Sequence, residues 1–109
     1  MAWLIRDDEV LAAIDIVESF RERSRGLLGR DGVNGALLLR PARQVHSFGM
    51  RFPIDVAFCT GDLVVVRTLS LRPGRITRPS LRGRCAIEAQ AGAFTRWSLR
   101  PGDQLEVRE

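Results

Sequence analysis

After Pro53 the chain alternates residue types with a period of two as far as Cys59, turns at Thr60-Gly61-Asp62, and runs back over Leu63 to Leu71 as a stretch apolar on both faces near its start. Ile54, Val56 and Phe58 are interleaved with Asp55, Ala57 and Cys59. In an extended strand successive side chains point to opposite faces, so this spacing lines one face with large apolar groups. On a helix the same residues would be scattered around the axis. The pattern therefore predicts a β-hairpin, 54–59 running into 63–71 through a Gly-containing turn, at the centre of the core.

The remaining elements follow from similar signals. Trp3 to Ile5 and Val10 to Ile16 read as two strands joined by Asp7-Asp8, both good turn residues. Ser19-Phe20-Arg21-Glu22 has the form of a capping box, which starts a helix that Gly29 stops. Ala36 to Leu39 is wholly apolar and suits a central strand ended by Pro41. Arg72-Pro73-Gly74 predicts a turn with Pro first and Gly second. Cys85, Ile87 and Ala89 alternate with Ala86, Glu88 and Gln90 as a further strand. A short helix is expected over 92–99, and Leu105 and Val107 belong to a closing strand. Many short strands and frequent turns, with no internal break in composition, predict one mainly β domain over residues 1–109. The expected form is a small jelly-roll-like sandwich or barrel carrying two short helices.

At 109 residues, 45% of them apolar, the chain can bury a core without metal or disulfide support. Trp3-Leu4-Ile5 is followed at once by Arg6, Asp7, Asp8 and Glu9, which gives no hydrophobic export region and no membrane partner, and sets a cytoplasmic expectation. There, Cys59 and Cys85 are expected as buried free thiols, able to pair only if their strands are neighbours. One His and two dispersed Cys provide no metal-ligand spacing, and no cofactor motif is present, so neither metal nor cofactor is expected. Ser47 lacks the Gly-x-Ser-x-Gly setting of an activated nucleophile.

All seventeen basic residues are Arg, and the formal charge is +4. Residues 72–84 concentrate Arg72, Arg75, Arg78, Arg82 and Arg84 without an acid. That stretch is either a solvated loop or an anion-binding one, with Arg75, Arg78 and Arg82 as the contacts. Nucleic acid is disfavoured as its partner, because the loop lacks interleaved aromatics for base stacking.

Five segments in order resemble the bacterial and archaeal family known as domain of unknown function 192. They are Arg23-Ser24-Arg25-Gly26-Leu27-Leu28-Gly29-Arg30, Gly35-Ala36-Leu37-Leu38-Leu39, Phe48 through Phe58, Ile87-Glu88-Ala89-Gln90-Ala91-Gly92, and Pro101-Gly102-Asp103. Gly49 stands where many relatives carry Trp, and Arg51-Phe52 replaces a Lys-Asn pair. The resemblance implies a mainly β sandwich and brings no reaction with it.

Asp55 and Glu88 sit inside strand patterns, where a carboxylate needs a partner. The structural expectation is that Arg23 or Arg30 supplies it and so fixes the first helix to the sheet. The functional expectation is a polar pocket for a small ligand or protein partner, formed by Arg23, Arg30, His46, Met50, Asp55 and Glu88. The preferred reading is a monomeric, non-catalytic binding or accessory domain. Two alternatives stand beside it: a small hydrolase- or lyase-like enzyme using His46 as a base with an acid, and a polyanion binder working through 72–84.

Overall fold

The computed structural model describes residues 2–18 and 35–109. Among these residues the strands are β1 (Ala2–Arg6), β2 (Glu9–Val17), β3 (Ala36–Leu39), β4 (Ile54–Cys59), β5 (Val65–Leu71), β6 (Cys85–Gln90) and β7 (Glu106–Arg108), with one helix, α1 (Ala93–Trp97), between β6 and β7. They form one sheet in the order β5-β4-β6-β3-β2-β1-β7. All neighbours are antiparallel except β2 and β3.

The hairpin forms where the period of two places it. Val56 pairs with Leu69 and Ile54 with Leu71. The second strand begins at Val65 rather than Leu63, because Leu63 takes a left-handed φ of 67° in the turn and the register shifts at Phe58/Cys59. Asp7 and Asp8, at φ 52° and 65°, make the mirror-image two-residue turn whose twist suits a hairpin.

Both faces of the sheet are covered, which explains the wholly buried β3 and β4. On the first face Leu4, Ile14, Leu38, Ala57, Ile87 and Phe94 form the core. On the second, Leu37, Leu39, Met50, Val56, Phe58 and Leu71 do so. Each buried large side chain contributes roughly 1.5–3 kcal/mol from apolar surface removed from water.

Two expectations need correction. The strands make a single mixed sheet in place of two facing ones. It curls until its ends meet at one bridge, Val64 with Gln104, supported by Leu105 N–H donating to the Leu63 carbonyl, and the barrel is not closed. The physical reason is that β7 has only three residues, too few to zip along β5. The second expected helix is present as α1; the first falls outside the described residues.

Candidate anion-binding face

Two segments without regular secondary structure, 40–50 and 72–84, run against each other over the second face. Their joining starts at the Arg72-Pro73-Gly74 turn, where Gly74 adopts φ 77°, a conformation that favours glycine. Five backbone hydrogen bonds follow. Gly74 donates to Ser47, Ser47 to Arg75, Thr77 to Val45, Ser80 to Arg43 and Ala42 to Arg84, at 2.7–2.9 Å. His46 bridges Ile76 within this ribbon.

Small polar side chains complete the seam from inside. Ser47 is fully buried; its hydroxyl donates to the Arg72 carbonyl and accepts the Arg75 amide at 2.9 Å. The buried Thr77 hydroxyl accepts the Val45 amide at 3.1 Å, and the buried Ser80 hydroxyl accepts the Gly83 amide at 3.0 Å. Gly83 has to be glycine here, since a Cβ would lie 2.7 Å from the Ser80 oxygen. Thr77, Ser80 and Gly83 thus turn inward at every third position. Arg78 and Arg82 between them, and Arg75 and Arg84 on either side, are left outward and exposed.

Electrostatics follow from composition. No acid occurs in 40–54 or in 63–87. Arg40 forms an ion pair with Glu18 at 3.5 Å. Among the described residues, no carboxylate pairs with Arg43, Arg72, Arg75, Arg78 or Arg82. Arg67 lies 5.2 Å over the Phe58 ring and donates to the Arg78 carbonyl at 3.0 Å, so the rigid sheet also holds this loop. A cavity of about 240 Å³ opens between Arg67, Pro79, Leu81 and Arg82. Leu81 is 89% exposed at its rim.

Of the residues expected to form one polar pocket, Arg23 and Arg30 lie outside the described residues, and the two acids stand on opposite faces of the sheet. Glu88 lies opposite Val56 and Leu37 and faces the second side of the sheet. Asp55 neighbours Val56 along β4, so it faces the first side. There it accepts the Ser70 hydroxyl at 2.8 Å and the Gly92 and Phe94 amides at 3.0 and 3.1 Å. Among the described residues, the partners of Asp55 are therefore Ser70 and the start of α1; Arg23 and Arg30, the partners expected from sequence, lie outside the described residues. Met50 is buried in the second core. His46 stacks on Phe48 with ring centroids 5.0 Å apart, and its Nδ1 accepts the Phe48 amide at 3.2 Å. Among the described residues, neither acid makes a hydrogen bond to His46.

A second cavity, about 460 Å³, runs between β5 and α1, lined by Thr68, Ser70, Thr95, Ser98 and Arg100 with Asp55 at its base. Both Asp55 oxygens already serve the fold. Sequence reasoning weighed Ser47 only as a nucleophile and missed Thr77, Ser80 and Arg43. The available signal was the spacing of small residues at 77, 80 and 83 within an acid-free, Arg-rich stretch.

One curled mixed sheet with a pinned loop pair over its second face defines a small mainly β domain. A family model for domain of unknown function 192, described as an uncharacterized ACR, matches residues 3–107, and the chain belongs to that family. The UPF0127 protein PH1112 of Pyrococcus horikoshii is 30% identical over 100 residues, 85% of each chain. A solved protein of unknown function from Novosphingobium aromaticivorans superposes with a TM-score of 0.79 at 16% identity, over 96% of this chain and 82% of that one. A candidate transcription regulator from Sinorhizobium meliloti gives 0.80 at 19% identity, over 97% and 91%. These two likenesses show the fold. Among the described residues no helix is long and apolar enough to cross a membrane.

Proposed function

We propose that this chain is a non-catalytic binding domain whose partner is a polyanion, engaged by Arg75, Arg78 and Arg82 with Arg43 and Arg72 beside them. The observation that carries this reading is the seam of five backbone hydrogen bonds, which makes one fixed surface of two acid-free segments. A preformed array loses less conformational freedom on binding than a mobile loop would. Each guanidinium presents a rigid fork suited to phosphate or sulfate oxygens. The small-ligand pocket loses support from the separation of Asp55 and Glu88 by the sheet. The enzyme reading loses its geometric basis with His46 hydrogen-bonded to Phe48.

The test is fluorescence anisotropy with labelled heparin as the polyanion, titrated across salt concentrations. Binding through several Arg contacts should weaken steeply as salt rises, through release of counterions. Arg75→Ala/Arg78→Ala/Arg82→Ala should lower affinity at least about tenfold at low salt and flatten the salt dependence. Affinity indifferent to salt, or a triple variant that binds like the parent, would refute the proposal.

A further inference from the structure

Cys59 ends β4 and Cys85 begins β6, and the antiparallel register sets them directly opposite one another. Both residues are buried and both are free thiols. The Cys85 sulfur lies 3.7 Å from the carbonyl oxygen of Cys59 and 3.5 Å from that of Thr60. Its contact with Thr60 is only partly buried, because the strand pair ends there in an exposed turn at Gly61 and Asp62. Directly opposed Cβ atoms in a sheet are about 4.5–5.5 Å apart. A disulfide needs them at about 3.5–4.5 Å, so closure requires a small local adjustment. The site suits that adjustment, since the β4–β5 register already shifts between Phe58 and Cys59 and the turn begins at Thr60.

The two thiols are not equivalent. The neighbouring Cys59 thiol and the Arg40 charge, against the opposing effect of burial, hold the Cys85 thiol below its ordinary range. The Cys85 thiol beside it, together with burial, pushes the Cys59 thiol up. Thiolate is the nucleophile in exchange, so Cys85 is the group that reacts first. Among the described residues, no group of three or more His, Cys, Asp or Glu is arranged to hold a metal ion.

We infer that Cys59 and Cys85 are a covalent modification site, a cross-strand dithiol that a small-molecule disulfide oxidises to an intrachain disulfide. The Cys85 thiolate attacks one sulfur of the small disulfide, forming a mixed disulfide and expelling one small thiolate. Cys59 then gives up its proton and attacks the Cys85 sulfur, and the second small thiolate leaves. The protein loses two protons and two electrons, and one molecule of oxidant becomes two thiols. The product covalently joins β4 to β6, two adjoining buried strands next to the edge strand β5.

The experiment incubates the folded full chain with oxidised glutathione, then unfolds it under acid to count free thiols and measure intact mass. The expected product is a monomer lighter by two hydrogens, with a thiol count falling from two to none and restored by dithiothreitol. Cys59→Ser should retain one glutathione on Cys85. Cys85→Ser should leave Cys59 unmodified over the same interval. Two thiols persisting in the folded chain while a denatured control oxidises would overturn the inference. So would glutathione retained on both cysteines of the parent, or disulfide-linked dimers. The parent chain decides the matter even if a Ser variant does not fold.

Discussion

The Asp55 carboxylate accepts the Ser70 hydroxyl at 2.8 Å, so an acid on β4 is held by the edge strand β5 while its other oxygen takes two amides at the start of α1. Asp55 thus joins three elements through one buried side chain. Asp55→Ala would leave the Phe94 amide buried without an acceptor. It is expected to destabilise the fold by about 2–3 kcal/mol, the magnitude of losing charge-assisted hydrogen bonds at a buried site. Asp55→Asn, which keeps one acceptor oxygen, is expected to lose about half of that. Chemical denaturation checks both; an unchanged midpoint in the Ala variant would free Asp55 from its structural role.

Gly83 packs against Ser80 so closely that a methyl group cannot be placed without movement. Its Cβ would lie 2.7 Å from Ser80 Oγ, 3.0 Å from Ser80 Cβ and 3.3 Å from Phe58 Cβ. Gly83→Ala is expected to destabilise by about 1–3 kcal/mol through overpacking. Adding Ser80→Ala removes the closest clash, so the double variant should be less destabilised than the sum of the singles. Simple additivity in thermal melts would contradict the contact.

Ser47 and Thr77 are expected to act on binding through the ribbon's order. Ser47→Ala and Thr77→Val each remove a buried hydroxyl that accepts a backbone amide, at about 1–2 kcal/mol of stability apiece. Amide hydrogen exchange at Val45 and Arg75 should quicken in the matching variant. Heparin affinity should fall several-fold even though every Arg is retained. Affinity unchanged despite faster exchange would show that a fixed ribbon is not needed.

Arg6 secures the far end of the molecule. It donates to the carbonyls of Trp97 and Ser98 and meets Asp103 at 3.0 Å, so β1 holds the end of α1 and the 100–103 turn together. Arg6→Ala is expected to destabilise by about 1–2 kcal/mol, a value reduced by the site's partial exposure. Arg6→Lys should recover less than half, because an ammonium lacks the planar fork that reaches three acceptors. Full recovery by Lys would reduce the contact to simple charge.

The period of two over 54–59, with the turn and apolar return after it, determined the hairpin by itself, and Asp7-Asp8 and Pro73-Gly74 determined their turns, because these signals act over neighbouring residues. The acid-free, Arg-rich run at 72–84 was legible for the same local reason, and it is the stretch proposed to bind an anion. Which residues lie together was decided only in three dimensions. Asp55 and Glu88 look alike in sequence, yet strand alternation and the register of β4 against β6 put them on opposite faces. The partners of Asp55 come from residues 70, 92 and 94, and Arg43 meets Ser80 only because two irregular segments pair. No periodicity encodes those choices, since they depend on how strands distant in the chain align and on which buried polar groups need partners.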